Sequence, residues 1–146
     1  MIETKKILIV EDSEDSRELL ALYIRHLGFA VWQASDGIEA LKLAVAVQPD
    51  LIIMDISMPH MDGLQAMARL KGDPATRNIP VVIATAHTQQ ALIDSALKAG
   101  ALGLLIKPLE FRKLGETLGR YLASESQNPV IECDAEVQKR LDQTTA

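Results

Sequence analysis

Five short, β-rich runs alternate with helical stripes along this chain, and that alternation limits the fold more than any other feature. The runs are ILIV at 7–10, VWQA at 31–34, LIIM at 51–54, VVIA at 81–84 and LGLLI at 102–106. Between the first two, Leu20, Tyr23, Ile24 and Leu27 recur at the spacing of an amphipathic helix, and Gly28 supplies its C-terminal stop. Further stripes are read at Ile38, Leu41 and Val45, at Leu64, Met67 and Ala68, and at Ile93, Ala96 and Leu97. The last helical stripe carries Phe111, Leu114, Leu118 and Leu122, although Gly115 and Gly119 lower its intrinsic propensity by roughly 1 kcal/mol each. Strands joined by helices pair in parallel through right-handed crossovers, so the predicted class is α/β: five parallel strands with five helices on the two faces. The strand runs are aliphatic almost without interruption, as strands buried on both faces must be.

A chain of 146 residues, 48% of them hydrophobic, can close one core. Composition shifts after Leu122, where ASESQNP is polar and Pro129 interrupts any helix, so the predicted body is 1–122 and the remainder, 123–146, is an acidic C-terminal tail. Val137 and Leu141 allow that tail one short helix, and it is too short to form an output domain. The net charge of −5 gives no field that would draw the chain to nucleic acid or an anionic membrane. Cys133 stands alone, MIETKK leads straight into a strand, and no apolar run reaches the ~20 residues of a bilayer span. The expectation is a cytoplasmic chain with neither membrane nor nucleic-acid partner.

In an open parallel sheet, ligands bind beyond the carboxyl ends of the strands. The residues expected there are Glu11 and Asp12 after the first strand, Asp55 after the third, Thr85 after the fourth and Lys107 after the fifth. Each has an ordinary reading by itself: Asp12 or Ser13 could cap the first helix, and an aspartate after a strand commonly opens a turn. If the first and third strands are neighbours, however, three carboxylates share one cleft and cannot all stay ionised without a cation. Lys107 supplies one positive charge. A hard divalent ion with oxygen ligands supplies the rest, which points to Mg2+ in an open site that can also take a phosphate oxygen.

At this level the sequence resembles the receiver domains of two-component response regulators. The matching segments are ILIVEDSED, PDLIIMDISMPHMDG, IPVVIATA and AGALGLLIKP, in the family's order and spacing over residues 5 to about 122. The resemblance implies a flavodoxin-like, doubly wound sheet of order 2-1-3-4-5. It implies that Glu11, Asp12, Asp55 and the backbone carbonyl of Ser57 hold Mg2+, and that Asp55 is the phosphoacceptor. Lys107 would pair with the acceptor and then with the phosphoryl oxygens, Thr85 would report the modification, and Pro108 would form a cis turn. The implied partners are a sensor histidine kinase or histidine phosphotransfer protein upstream and a protein target downstream, with homodimerisation on phosphorylation left open. The implied output face joins the fourth helix, fifth strand and fifth helix, with Gln89, Gln90, Asp94, Lys98, Arg112 and Lys113 on it.

One departure concerns the switch. Where the family usually has an aromatic residue three positions before the lysine, this chain has Leu104, so the signal is expected to depend on the loop from Thr85 to Thr88 and on the fourth helix. Ser57 and His87 occupy the positions that tune acyl-phosphate lifetime in the family. His26 and His60 are read as surface residues, Met58 and Met61 as loop packing, and Pro59, Asp62 and Gly63 as the turn into the third helix.

Three other functions are compatible with parts of this pattern. An aspartate-nucleophile phosphatase of the haloacid-dehalogenase type needs a second aspartate two residues after the nucleophile, and Ser57 cannot serve as that general acid. The chain is therefore not expected to be a turnover enzyme. A flavin mononucleotide carrier shares the fold, but the acidic EDSED loop would repel its phosphate. A phosphorylation-independent interaction module is kept open by Leu104 and opposed by the presence of all five polar site residues.

Overall fold

The computed structural model describes residues 4–56, 63–86, 90–107, 110–123 and 130–132. Strands β1 (Lys6–Val10), β2 (Ala30–Ala34), β3 (Leu51–Asp55), β4 (Val81–Thr85) and β5 (Gly103–Ile106) alternate with helices α1 (Glu14–His26), α2 (Gly37–Val47), α3 (Gly63–Gly72), α4 (Gln90–Lys98) and α5 (Phe111–Ala123). All strand pairs are parallel, and the order β2-β1-β3-β4-β5 is the doubly wound arrangement that the family resemblance implies. A sixth strand, β6 (Val130–Glu132), adds in parallel at the β5 edge, in register Gly103↔Val130, Leu104↔Ile131 and Leu105↔Glu132. This strand falls within the segment after Leu122, where the sequence pattern predicts only a tail.

Alternation along the strands divides the core in two. One face gathers Leu8, Val10, Ile52, Met54, Val81, Ile83 and Leu104 against α2, α3 and α4. The other gathers Ile7, Ile9, Ile53, Val82, Ala84 and Leu105 against Leu20, Ala21 and Ile24 of α1 and Leu114, Leu118 and Tyr121 of α5. The helix ends follow local chemistry. Ser13 caps α1 by accepting from the Ser16 amide, and Asp36 caps α2 by accepting from the Glu39 amide at 2.8 Å. Past α1, Gly28 turns the chain at φ +103°, a left-handed conformation that side chains resist.

Two predicted stripes are rotated from the truth. On α2 the buried positions are Gly37, Ala40 and Ala44, while Ile38 and Val45 are exposed and Leu41 is only half-buried. On α3 Ala66, Met67 and Leu70 are buried and Ala68 is exposed. On α2 the periodicity weights large apolar side chains, whereas a helix packed close on a sheet turns its smallest residues inward; on α3 the expected Met67 is buried and the stripe runs on to Leu70 rather than through Ala68. Asp55 and Thr85 were expected just past their strands and instead are the last residues of β3 and β4. No helix among the described residues is long and apolar enough to cross a membrane.

Candidate phosphoryl and metal site

Register brings the acidic residues together. Val10 pairs with Met54, so Glu11, one residue beyond β1, lies beside Asp55 at the end of β3. Asp55 pairs with Ala84 of β4, and Ala84 lines the same cavity as Asp55 and Lys107, which follows β5. The Lys107 ammonium nitrogen stands 3.2 Å from Glu11 Oε2 and 3.6 Å from Asp55 Oδ2. Carboxylate oxygens of Glu11, Asp12 and Asp55 all lie within 4.8 Å of one another. Ser13, not Asp12, caps α1, which leaves the exposed Asp12 carboxylate to the cluster.

The two inner carboxylates are nearly sealed from water, at 10% and 12% side-chain exposure, and Lys107 is open to 30%. Burial, the hydrogen bond Glu11 donates to Asp55 and the Asp55 charge together push the Glu11 carboxyl up to about 7, against the opposing pull of Lys107. The crowding inferred from sequence thus has a physical signature: one ammonium cannot neutralise three carboxylates, and near neutrality Glu11 holds a proton for part of the time. The donor set is all oxygen and the cleft is open, which suits a hard divalent ion such as Mg2+ that keeps several waters. Ile9, Leu19, Leu20, Ile53 and Ala84 line, together with Glu11, Asp55 and Lys107, one cavity of about 150 Å³.

Three positioning features were not legible in the sequence. Arg17 on α1 donates from one terminal guanidinium nitrogen to the Glu11 carbonyl at 3.0 Å and from Nε to Gln33 at 3.2 Å. It thereby ties the Glu11 loop to both α1 and β2. The Glu11 amide donates to the Ala34 carbonyl at 3.1 Å. Gly63, read only as a turn residue, starts α3 directly against the acceptor strand, where a Cβ would stand 2.5 Å from the Asp55 carbonyl oxygen and 2.8 Å from Ile56 Cα. The Gly63 amide donates to the Ile56 carbonyl at 2.9 Å, so no side chain fits between helix and strand there. No spacing in the sequence announces these contacts.

Thr85 is buried at the end of β4, and its carbonyl accepts from the Lys107 amide at 2.8 Å. Because Thr85 pairs with Ile106 and Ile83 with Leu104, Thr85 and Leu104 are diagonal neighbours at the end of the sheet. Leu104 is wholly buried in the cluster shared with α4. Of the expected output face, Asp94 and Lys98 are exposed on α4, and the half-buried Gln90 donates to Asp94 at 2.8 Å. Ser57, His60, His87, Gln89 and Pro108, with the side chains of Arg112 and Lys113, lie outside the described residues.

Comparison with known proteins agrees with this geometry. The family model of the response regulator receiver domain matches residues 7–119. Among curated proteins, the chain is 35% identical over 119 residues to the polar-differentiation response regulator DivK of Brucella ovis, which covers 82% of this chain and 97% of DivK. It is 38% identical over 135 residues to the transcriptional regulatory protein ZraR of Klebsiella oxytoca; that match spans 91% of this chain and only 30% of ZraR. Among solved structures, the receiver domain of the sensor histidine kinase PA1611 from Pseudomonas aeruginosa PAO1, which has magnesium coordinated in its active-site cleft, superposes with a TM-score of 0.77 at 30% identity, covering 84% of this chain and all of that one.

Proposed function

Because the chain belongs to the response regulator receiver family, we propose that it accepts a phosphoryl group on Asp55 from a histidine kinase or phosphotransfer protein and signals by protein contact. The observation that carries this reading is the convergence of Glu11, Asp12 and Asp55 with the Lys107 ammonium at the carboxyl end of one parallel sheet. In this reading an oxygen of the Asp55 carboxylate attacks phosphorus. The phosphorus–nitrogen bond of a phosphohistidine breaks, and the donor nitrogen keeps the electron pair. Phosphoryl transfer asks chiefly for positioning and charge neutralisation, so no histidine base is required on this side.

Glu11, Asp12 and Asp55, with the Ser57 carbonyl, would hold Mg2+. When bound, it supplies neutralisation of the charge that develops on the phosphoryl oxygens. Lys107 moves from the two carboxylates toward a phosphoryl oxygen, and Thr85, bonded through its backbone to the Lys107 amide, reports the change to Leu104 and α4. Ser57 and His87 tune the lifetime of the acyl phosphate. Residues 1–122 act as the receiver and 123–146 as its C-terminal extension, with the α4–β5–α5 face receiving the target. The protein modifies itself and does not turn over external phosphate esters.

The test is direct. Wild type and Asp55→Asn are incubated with acetyl phosphate, with and without magnesium, and weighed as intact proteins. A phosphoryl mass gain in the wild type that needs magnesium and is lost in the variant is expected, and a gain that persists in Asp55→Asn refutes the acceptor assignment.

A further inference from the structure

The sixth strand lies on the edge of β5 that would otherwise be the open border of the sheet. It is three residues long, rich in β-branched side chains, and runs parallel to Gly103–Leu105. A bare edge carrying GLLI presents unpaired amides and carbonyls, and proteins normally cover such edges. We propose that the β5 edge is a strand-addition site whose resident occupant is the chain's own Val130–Glu132, so that an extended, β-branched segment of a partner binds there only by displacing it. The inference takes from the proposed function only that partners approach the α4–β5–α5 face, whose middle is this edge.

The energetics favour an exchangeable occupant. So short a strand contributes few backbone hydrogen bonds, and its docking opens far more easily than the pairing of the four inner strands. Tethering through residues 124–129 keeps its effective concentration high, so the segment in cis outcompetes the same sequence added in trans. Register also ties occupancy to the site. Leu105 pairs with Glu132 only two residues before Lys107, and Leu104 pairs with Ile131.

The test uses the full chain and two variants. I131P/E132P removes amide donors from the strand, and V130G/I131G/E132G removes its strand propensity without proline. Hydrogen exchange is followed at 101–107 and, as a control on folding, at β1 and β3, with and without a synthetic peptide spanning 127–132. Exchange of the β5 amides at least about tenfold faster in both variants, restored by millimolar peptide and unaffected by peptide in the wild type, is expected. Equal exchange in wild type and variants, or failure of the peptide to restore protection, overturns the proposal. Loss of protection in β1 and β3 as well would make β6 an integral part of the fold and overturn it too. Acetyl phosphate labelling of the same samples separates the two readings, because its failure with normal edge behaviour counts only against Asp55 as acceptor.

Discussion

Acidification should weaken divalent-ion binding by a calculable amount, because the ion and a proton compete for Glu11. The perturbation is a change from pH 8 to pH 6. With the Glu11 carboxyl at about 7 in the metal-free protein, roughly 90% of Glu11 is ionised at pH 8 and roughly 10% at pH 6. Apparent magnesium affinity should therefore fall about tenfold over this interval, and binding at pH 7 should release about half a proton. The sign for stability follows from the same shift. A carboxyl raised above its ordinary value stabilises the fold fully below pH 4.5, and that contribution is lost as pH rises through 7. Without metal, the site costs the fold up to roughly 3 kcal/mol as it ionises, a cost that a bound cation offsets. Calorimetric titration with magnesium at pH 6, 7 and 8, in two buffers of different ionisation enthalpy, measures both affinity and proton release. Glu11→Gln should flatten the profile. A wild-type affinity independent of pH between 6 and 8, with no proton released at pH 7, would refute the reasoning.

Other substitutions separate positioning from chemistry. Gly63→Ala should destabilise the fold by about 1–3 kcal/mol in urea, since the added carbon meets backbone atoms of Asp55 and Ile56 that cannot give way. Gly72→Ala on the same helix, with nothing within 4 Å of its added carbon, should be neutral or stabilising by up to about 1 kcal/mol. Arg17→Ala frees the Glu11 carbonyl and Gln33, and should weaken magnesium binding several-fold in the same calorimetric assay while leaving acetyl phosphate labelling dependent on Asp55. Leu104→Ala should cost about 2–5 kcal/mol because the side chain is fully buried. In the wild type, amide shifts on phosphorylation should concentrate at 85–88 and in α4; shifts confined to other regions would contradict a switch built around Leu104.

The residue pattern by itself determined the class and the identity of the charged groups, and the family resemblance implied the strand order. Runs such as LIIM and VVIA, alternating with helical stripes, fit strands covered on both faces, and the motifs around Glu11, Asp55 and Lys107 lie where those apolar runs stop. Rotation of helices and placement of contacts were decided elsewhere. Which face α2 buries depends on how closely it approaches the sheet, and Ala40 and Ala44 allow an approach that Ile38 and Val45 would prevent. The fit of Gly63 against Asp55, the reach of Arg17 to the Glu11 carbonyl and to Gln33, and the approach of Lys107 to Glu11 exist only once the segments have met. The pairing of Val130–Glu132 with β5 belongs with them, since a three-residue run has too weak a local preference to declare itself until an open edge is beside it. Hydrophobic pattern is local and survives in one dimension, whereas steric fit and charge crowding exist only between segments already brought together.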